Sequence, residues 1–385
     1  VKKRLKIAVN TRFLIADKLE GIGLFTLETL KEMVVQHPEV DFVFLFDRPI
    51  DRQFIFAQNI IGVSLSPPAR HPFLWYIWFE WSVKQWLSKN APDLFLSMDG
   101  YTVLNTKIPT VTVIHDLAFE HFRDHVGGLV RKYYSYFVPL FAQKSNHLIA
   151  VSDFTKQDIV RLYNVPNQKI DIVYNAPKAV YQPISSEQKE VLKKNLTEGK
   201  EFFVYVGAIH PRKNMINLLF AFDAFKRETK SETKLVLIGR KAWKFDAVEQ
   251  TLNSLSCKQD VIFLGYLPST EIATITAAAM AMCYVSLFEG FGIPIVEAQQ
   301  AGTAVITSNV TSMPEVAGDA ALLVNPNDLN DIAHAMTRIL NEKSLRELLI
   351  QKGFENCKRF SWHQSAQHLW AVCEKVINTS LSKMP

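Results

Sequence analysis

Short apolar runs alternate with longer amphipathic stretches along the whole chain. The first half holds "KIAVN", "DFVFLF", "DLFLSM", "TVTVIH", "HLIAVS" and "DIVYN"; the second holds "FFVYVGA", "KLVLIG", "VIFLG", "AMCYVSL" and "AVITS". These runs are nearly continuous, as in strands covered on both faces of a parallel sheet. Between them, "FTLETLKEMVVQ", "SDFTKQDIVRLY", "MINLLFAFDAFKRE" and "LNDIAHAMTRILN" are of helix length and pattern. The alternation predicts an α/β fold with parallel sheets flanked by helices. One polar stretch, "NAPKAVYQPISSEQKEVLKKNLTEGKE" at residues 175–201, interrupts the rhythm and marks a domain boundary.

Composition narrows the class. The 385 residues suffice for two domains, and 48% hydrophobic with 21% charged residues is the balance of a globular protein. A net charge of +5 suits an anionic ligand or surface but is too mild to argue for nucleic acid. Cys257, Cys283, Cys357 and Cys373 show no CxxC spacing, which reads as reduced thiols in a cytoplasmic protein. The opening "VKKRLKIAVNTRFL" reads as a first strand rather than a leader peptide. No run approaches the roughly 18 apolar residues that span a bilayer. The nearest, "PFLWYIWFEWSVKQWL" at 72–87, contains Glu80 and Lys84. Its apolar residues run round more than one face, predicting a buried helix, with a membrane or lipid-acceptor surface as the second reading.

The stretch "FEGFGIPIVEAQQAG", residues 288–302, follows the strand run "AMCYVSL" and has the order strand, glycine loop, helix. Such loops at the carboxyl ends of parallel strands are where α/β sheets bind ligands. Taking Pro294 as the first helical residue puts Glu297 in the first turn. There it either complements the helix dipole or holds a polar ligand, and the residues alone leave both readings open. Glu289 precedes the helix and has no capping role. Upstream, "IHPRKN" offers Arg212 and Lys213 at the end of a strand, as a solvated pair or as cations for a phosphate group. "EGIG", residues 20–23, fails as a dinucleotide fingerprint because Thr26 stands where the third glycine belongs. His115 and Asp116 end the strand "TVTVIH", and Ser152 reads as a helix N-cap. No Asp-x-Asp pair and no metal-ligand spacing occurs, so no metal is expected.

"SLFEGFGIPIVEAQQAG" followed by "AVITSNVTSMPEVAGDAALLVNPND" resembles the Glu-x7-Glu signature of the family 4 glycosyltransferases. The likeness extends through "YVGAIHPRKNMINLL", "LVLIG", "FLGYLP" and "FSWHQSAQHLW", and more loosely through "GIGLFTLETL", "VIHDLAF" and "AVSDFTKQDIV". It implies a GT-B fold: two Rossmann-like domains whose parallel sheets face a central cleft. Residues 1–178 would form the acceptor side and 179–365 the donor side, with a helix at 366–385 crossing back to the first domain. It also implies retaining transfer of a sugar from a nucleotide-sugar donor to a hydroxyl of a glycan or lipid-linked acceptor.

The same resemblance places Glu297 on the ribose hydroxyls. It places Glu289, with Gly290 and the amides of Phe291, Gly292 and Ile293, on the donor sugar and diphosphate. Arg212 and Lys213 would meet the diphosphate after the strand ending at Gly207. Ala208 departs there from the basic or hydroxyl residue of many relatives. Gly21 and Gly23 would close on the diphosphate, Leu267 would meet the base through its backbone, and His115 would lie near the donor sugar. Glu289, His115, Arg212 and Lys213 are thus the catalytic candidates. No cofactor, metal or nucleic acid is implied, and a cytoplasmic place at the inner membrane face fits such an enzyme. The wording of "HPRKN" and "EGFGIP" resembles mannosyl-transferring members, favouring GDP-mannose over a UDP-sugar. Another GT-B enzyme, such as a sugar-nucleotide epimerase, and a non-catalytic nucleotide-sugar binding protein are the alternative readings.

Overall fold

The computed structural model describes residues 4–16, 19–125, 127–240 and 245–382. The chain forms two compact units: Val1–Asn175 with Ser361–Pro385, and Ala176–Phe360. The first unit contains a sheet of seven strands: β1 Lys6–Asn10, β2 Asp41–Phe46, β3 Ile60–Ser64, β4 Leu94–Ser97, β5 Thr110–Ile114, β6 His147–Ala150 and β7 Ile170–Ile172. The second contains a sheet of six: β8 Phe202–Val206, β9 Lys234–Ile238, β10 Val261–Gly265, β11 Ala281–Tyr284, β12 Ala304–Ser308 and β13 Leu322–Val324.

The strand orders are β3-β2-β1-β4-β5-β6-β7 and β10-β9-β8-β11-β12-β13. Neighbouring strands run parallel throughout. The central strands are buried along their length, from Phe42, Phe44 and Phe46 in β2 to Phe202, Phe203 and Tyr205 in β8. Each such side chain contributes roughly 1.5–3 kcal/mol of burial, so strands that carry them take central places. The order reverses between β1 and β4 in one sheet and between β8 and β11 in the other. Loops leaving such a pair of strands diverge and open a crevice at the carboxyl edge.

Three expectations need correction. β3 and β13 carry no long apolar run, so the hydrophobic pattern missed them; "IIGVS" is half exposed and "LLV" has three residues. The segment at 72–87 is not one buried helix. It is a helix Pro72–Ile77, a π-helical stretch Trp78–Val83 and a helix Lys84–Asn90. Trp78, Phe79, Val83 and Leu87 face inward while Phe73, Tyr76 and Trp81 stand exposed. The helix expected over "FTLETLKEMVVQ" starts four residues earlier, at Gly21, and runs Gly21–Gln36, so it takes in both "EGIG" glycines. The last helix, Trp362–Leu381, is capped by Ser361 and packs on Gly21–Gln36 within the first unit. There the His37 ring stacks on Trp370 at 3.6 Å.

Candidate functional site

In the second unit the loops after β8 and β11 are stitched into one structure. After β8 the chain passes Gly207, and the His210 ring accepts the Arg212 amide at 3.4 Å over the turn Pro211–Lys213. Asn214 then adopts left-handed backbone, φ 62°, which asparagine tolerates well. Its buried side-chain amide donates to the carbonyls of Val285 at 3.0 Å and Pro326 at 2.7 Å. The Leu287 amide returns a bond to the Arg212 carbonyl at 2.8 Å. This stitching sets Arg212 and Lys213 beside the loop that carries Glu289.

The Glu289 side chain is only 8% exposed, so its charge needs partners. Lys213 Nζ donates to Oε1 at 2.5 Å, Tyr284 Oη donates to the same oxygen at 2.9 Å, and Arg212 Nη1 reaches Oε2 at 3.3 Å. Lys213 Nζ also bonds Tyr284 Oη at 2.7 Å, and Arg212 Nη1 bonds the Phe288 carbonyl at 3.1 Å. Burial alone would raise the Glu289 pKa; Lys213 and Arg212 outweigh it and hold the carboxylate below the usual range. Burial and the adjacent Glu289 charge push the Tyr284 phenol far up, so it stays a donor at neutral pH. Ser312 Oγ completes the frame, bonding the carbonyls of Glu289 and Phe291 at 2.9 Å each.

Gly290 and Phe291 are buried, and Gly292 caps the next helix at φ 101°, ψ 53°. That backbone suits glycine alone. The helix therefore starts at Ile293, one residue ahead of Pro294, and Glu297 is its fifth residue rather than part of the first turn. A dipole-capping role for Glu297 falls away with that shift. Glu297 is buried with different partners: the Tyr181 phenol bonds it and the Lys178 charge lies nearby. Burial dominates and raises its pKa to about 7, against the pull of Lys178 and Tyr181. Gln300 Nε2 holds that segment on the helix through the carbonyls of Tyr181 (2.8 Å) and Lys178 (3.2 Å). Leu267 lies half-buried between β10 and the helix Ser269–Ala278.

The remaining candidates belong to the first unit. His115 follows β5, and its Nε2 lies 2.8 Å from the Met98 carbonyl. A carbonyl only accepts, so Nε2 carries the proton and Nδ1 keeps a lone pair in the neutral ring. Burial lowers the His115 pKa, which favours that neutral form. Phe25 meets the ring edge-on at 5.1 Å. Gly23 packs against the Phe13 carbonyl so closely that a Cβ there would lie 2.6 Å from the oxygen, whereas a Cβ on Gly21 would meet nothing within 4 Å. Gly23 is thus fixed by packing within its own unit.

Several side chains at these loops gave no signal in sequence. Tyr284 lies inside an apolar run and Tyr181 inside the presumed boundary segment. Arg12, just past β1, forms a buried ion pair with Asp99, just past β4, and its guanidinium lies over Tyr101 at 4.2 Å. A charged residue directly after a central strand was the one clue available for Arg12. Among the described residues, no group of three or more His, Cys, Asp or Glu side chains is placed to hold a metal ion.

The family model described as Glycosyl transferases group 1 matches residues 186–356, and that of Glycosyltransferase Family 4 matches residues 19–176. The chain is 29% identical over 360 residues to the O-antigen chain mannosyltransferase B of Escherichia coli, covering 89% of this chain and 93% of that protein. It is 27% identical over 270 residues to the O-antigen chain mannosyltransferase RfbU of Salmonella typhimurium, covering 70% and 71%. The crystal structure of Anabaena Alr3699/HepE in complex with UDP and glucose superposes with a TM-score of 0.75 at 15% identity, covering 96% of this chain and 100% of that one. The fold is GT-B. The chain belongs to the family 4, group 1 glycosyltransferases.

Proposed function

We propose that this glycosyltransferase moves a mannosyl group from GDP-mannose to a hydroxyl of a glycan or lipid-linked acceptor, with retention of anomeric configuration. The observation that carries the reading is the Glu289 carboxylate pinned by Lys213, Tyr284 and Arg212 on the loop between β11 and the helix Ile293–Gln300. A departing nucleoside diphosphate carries about two negative charges, and preorganised cations at that point stabilise the transition state. Lys213 and Arg212 are such cations, already fixed by the carboxylate between them. In this reading Glu289 orients both on the diphosphate and faces the positive charge that develops at the anomeric carbon. Glu297 offers two acceptor oxygens to the vicinal hydroxyls of the ribose. His115, neutral and with a lone pair on Nδ1, accepts from a hydroxyl of the donor sugar. The preference for mannose follows from the two mannosyltransferases that the chain most resembles among those described above.

The test is a donor panel of GDP-mannose, UDP-glucose, UDP-galactose and dTDP-rhamnose, with a lipid extract as acceptor. The product is read by mass and by the anomeric coupling in its NMR spectrum. Transfer from GDP-mannose with retained configuration supports the reading. Donor consumption without any glycosylated product would favour an epimerase, and nucleotide-sugar binding without turnover a binding protein.

A further inference from the structure

Arg12 and Asp99 form an ion pair closed off from solvent, the two residues being 5% and 7% exposed. A buried ion pair contributes little beyond an apolar pair of the same shape, because both charges must be stripped of water. Stability therefore does not account for it. Its place points to a task instead. Arg12 follows β1 and Asp99 follows β4, the two strands between which the order of the first sheet reverses.

The two carboxylate oxygens of Asp99 hold different things. Oδ2 accepts from Arg12 Nε. Oδ1 accepts the Tyr101 amide at 3.3 Å and the Ser97 hydroxyl at 3.4 Å, closing the turn 97–101 over Gly100 at φ 84°. Met98 lies inside that turn, and its carbonyl is the one that accepts His115 Nε2 at 2.8 Å. The Arg12 end is fixed as well. Its amide donates to Asn10 Oδ1 at 3.3 Å, and Asn10 Nδ2 donates to Ser97 Oγ at 3.0 Å. Its guanidinium lies against the rings of Tyr101, Phe13, Phe79 and Trp75, 4.2 to 5.8 Å from their centroids. A continuous series of contacts thus runs from the end of β1, through the turn after β4, to the imidazole after β5. The charges that act on that ring are Asp116 and Asp99, and the helix Gly21–Gln36 brings Phe25 against it.

We propose that Arg12 and Asp99 are positioning residues for the transfer reaction. By closing the turn 97–101 they hold the Met98 carbonyl on His115 Nε2, which keeps the proton there and the lone pair on Nδ1. This role rests on His115 meeting the donor sugar, as read above. Neither Arg12 nor Asp99 need touch the substrate.

The experiment is two-bond proton–nitrogen NMR of His115 in the full chain across neutral pH, with kcat and KM for GDP-mannose measured beside it. The His115 signal is the one that His115→Gln removes. The unaltered protein should show a single tautomer, protonated at Nε2. Arg12→Met and Asp99→Ala should each give mixed tautomers or an imidazolium, with kcat down about tenfold or more and KM little changed. Arg12→Lys keeps the charge but not the planar fork, and should recover part of both. If a single variant does not fold, Arg12→Met with Asp99→Leu leaves no charge buried, and the same losses are expected of it. The proposal is overturned if the unaltered protein carries its His115 proton on Nδ1. It is also overturned by folded variants whose His115 spectrum is unchanged, even where their melting temperature falls, or by changed spectra with kcat retained. If GDP-mannose is not turned over at all, the donor reading fails separately. The spectra, and kcat on the donor that is turned over, then decide the role of the pair.

Discussion

Glu289 and Glu297 are eight residues apart in sequence and opposite in electrostatic condition. Glu289 is held ionised by two cations, whereas Glu297 is poised to titrate near pH 7 because burial outweighs Lys178 and Tyr181. The folded state keeps a proton on Glu297 that the unfolded chain releases near pH 4.5. Its contribution is therefore fully present below that pH and is lost as pH rises through about 7. Glu297→Gln removes this cost, so at pH 8 it should stabilise the protein by up to about 3 kcal/mol, with little difference at pH 4.5. If Glu297 holds the ribose, the same variant should bind GDP more weakly by roughly 1.5–3 kcal/mol. Chemical denaturation at both pH values and titration calorimetry measure the two effects. A variant less stable at pH 8 and unchanged in GDP affinity would assign Glu297 to structure. Tyr284 gives a second residue-scale expectation. Tyr284→Phe deletes the phenol that bonds both Glu289 and Lys213. One hydrogen bond to a charged group is worth about 1.5–3 kcal/mol, so kcat should fall roughly tenfold or more. GDP affinity should hold within about threefold, because Arg212 and Lys213 remain. Equal loss in kcat and affinity would mean that the whole loop had moved.

At the scale of elements, the joint between loop and helix turns on Gly292. Any other residue there must take φ 101°, and an alanine Cβ would also press on Ile295 Cδ1 at 3.1 Å. Gly292→Ala should therefore cost at least about 1–2 kcal/mol, read from the denaturation midpoint. A midpoint equal to that of the unaltered protein would show the corner to be less constrained than its backbone indicates. Sequence pattern disclosed the long buried strands and this strand-loop-helix order, because continuous apolar runs and a glycine corner before proline are local signals. It did not disclose β3 or β13, whose short, half-exposed segments are held by their sheet neighbours. It also misjudged the helices at 72–90, where hydrophobicity alone does not separate rings that pack on Phe141 from rings such as Trp81 that face outward. In the candidate site, Glu289, Arg212 and Lys213 were legible because a carboxylate and two cations stand in loops just past apolar strand runs. Tyr284, Tyr181 and the Arg12–Asp99 pair were not, since each acquires meaning only from a partner distant in sequence.

The molecule as a whole combines two parallel sheets with a modest excess of positive charge. In the proposed reaction the diphosphate is met by Arg212, Lys213 and loop amides rather than by a divalent ion. That account makes Glu289 the group whose loss should separate binding from chemistry. Removing it leaves Lys213 and Arg212 without their carboxylate, so a diphosphate should bind as well as before or more tightly. The most direct measurement is mannosyl transfer from GDP-mannose in excess EDTA, by the unaltered protein and by Glu289→Ala side by side, with GDP affinity measured for both. We expect the unaltered protein to turn over in EDTA, and Glu289→Ala to bind GDP at least as tightly while kcat falls about a hundredfold or more. Near-normal turnover by Glu289→Ala, or activity that vanishes in EDTA and returns with magnesium or manganese, would contradict the account.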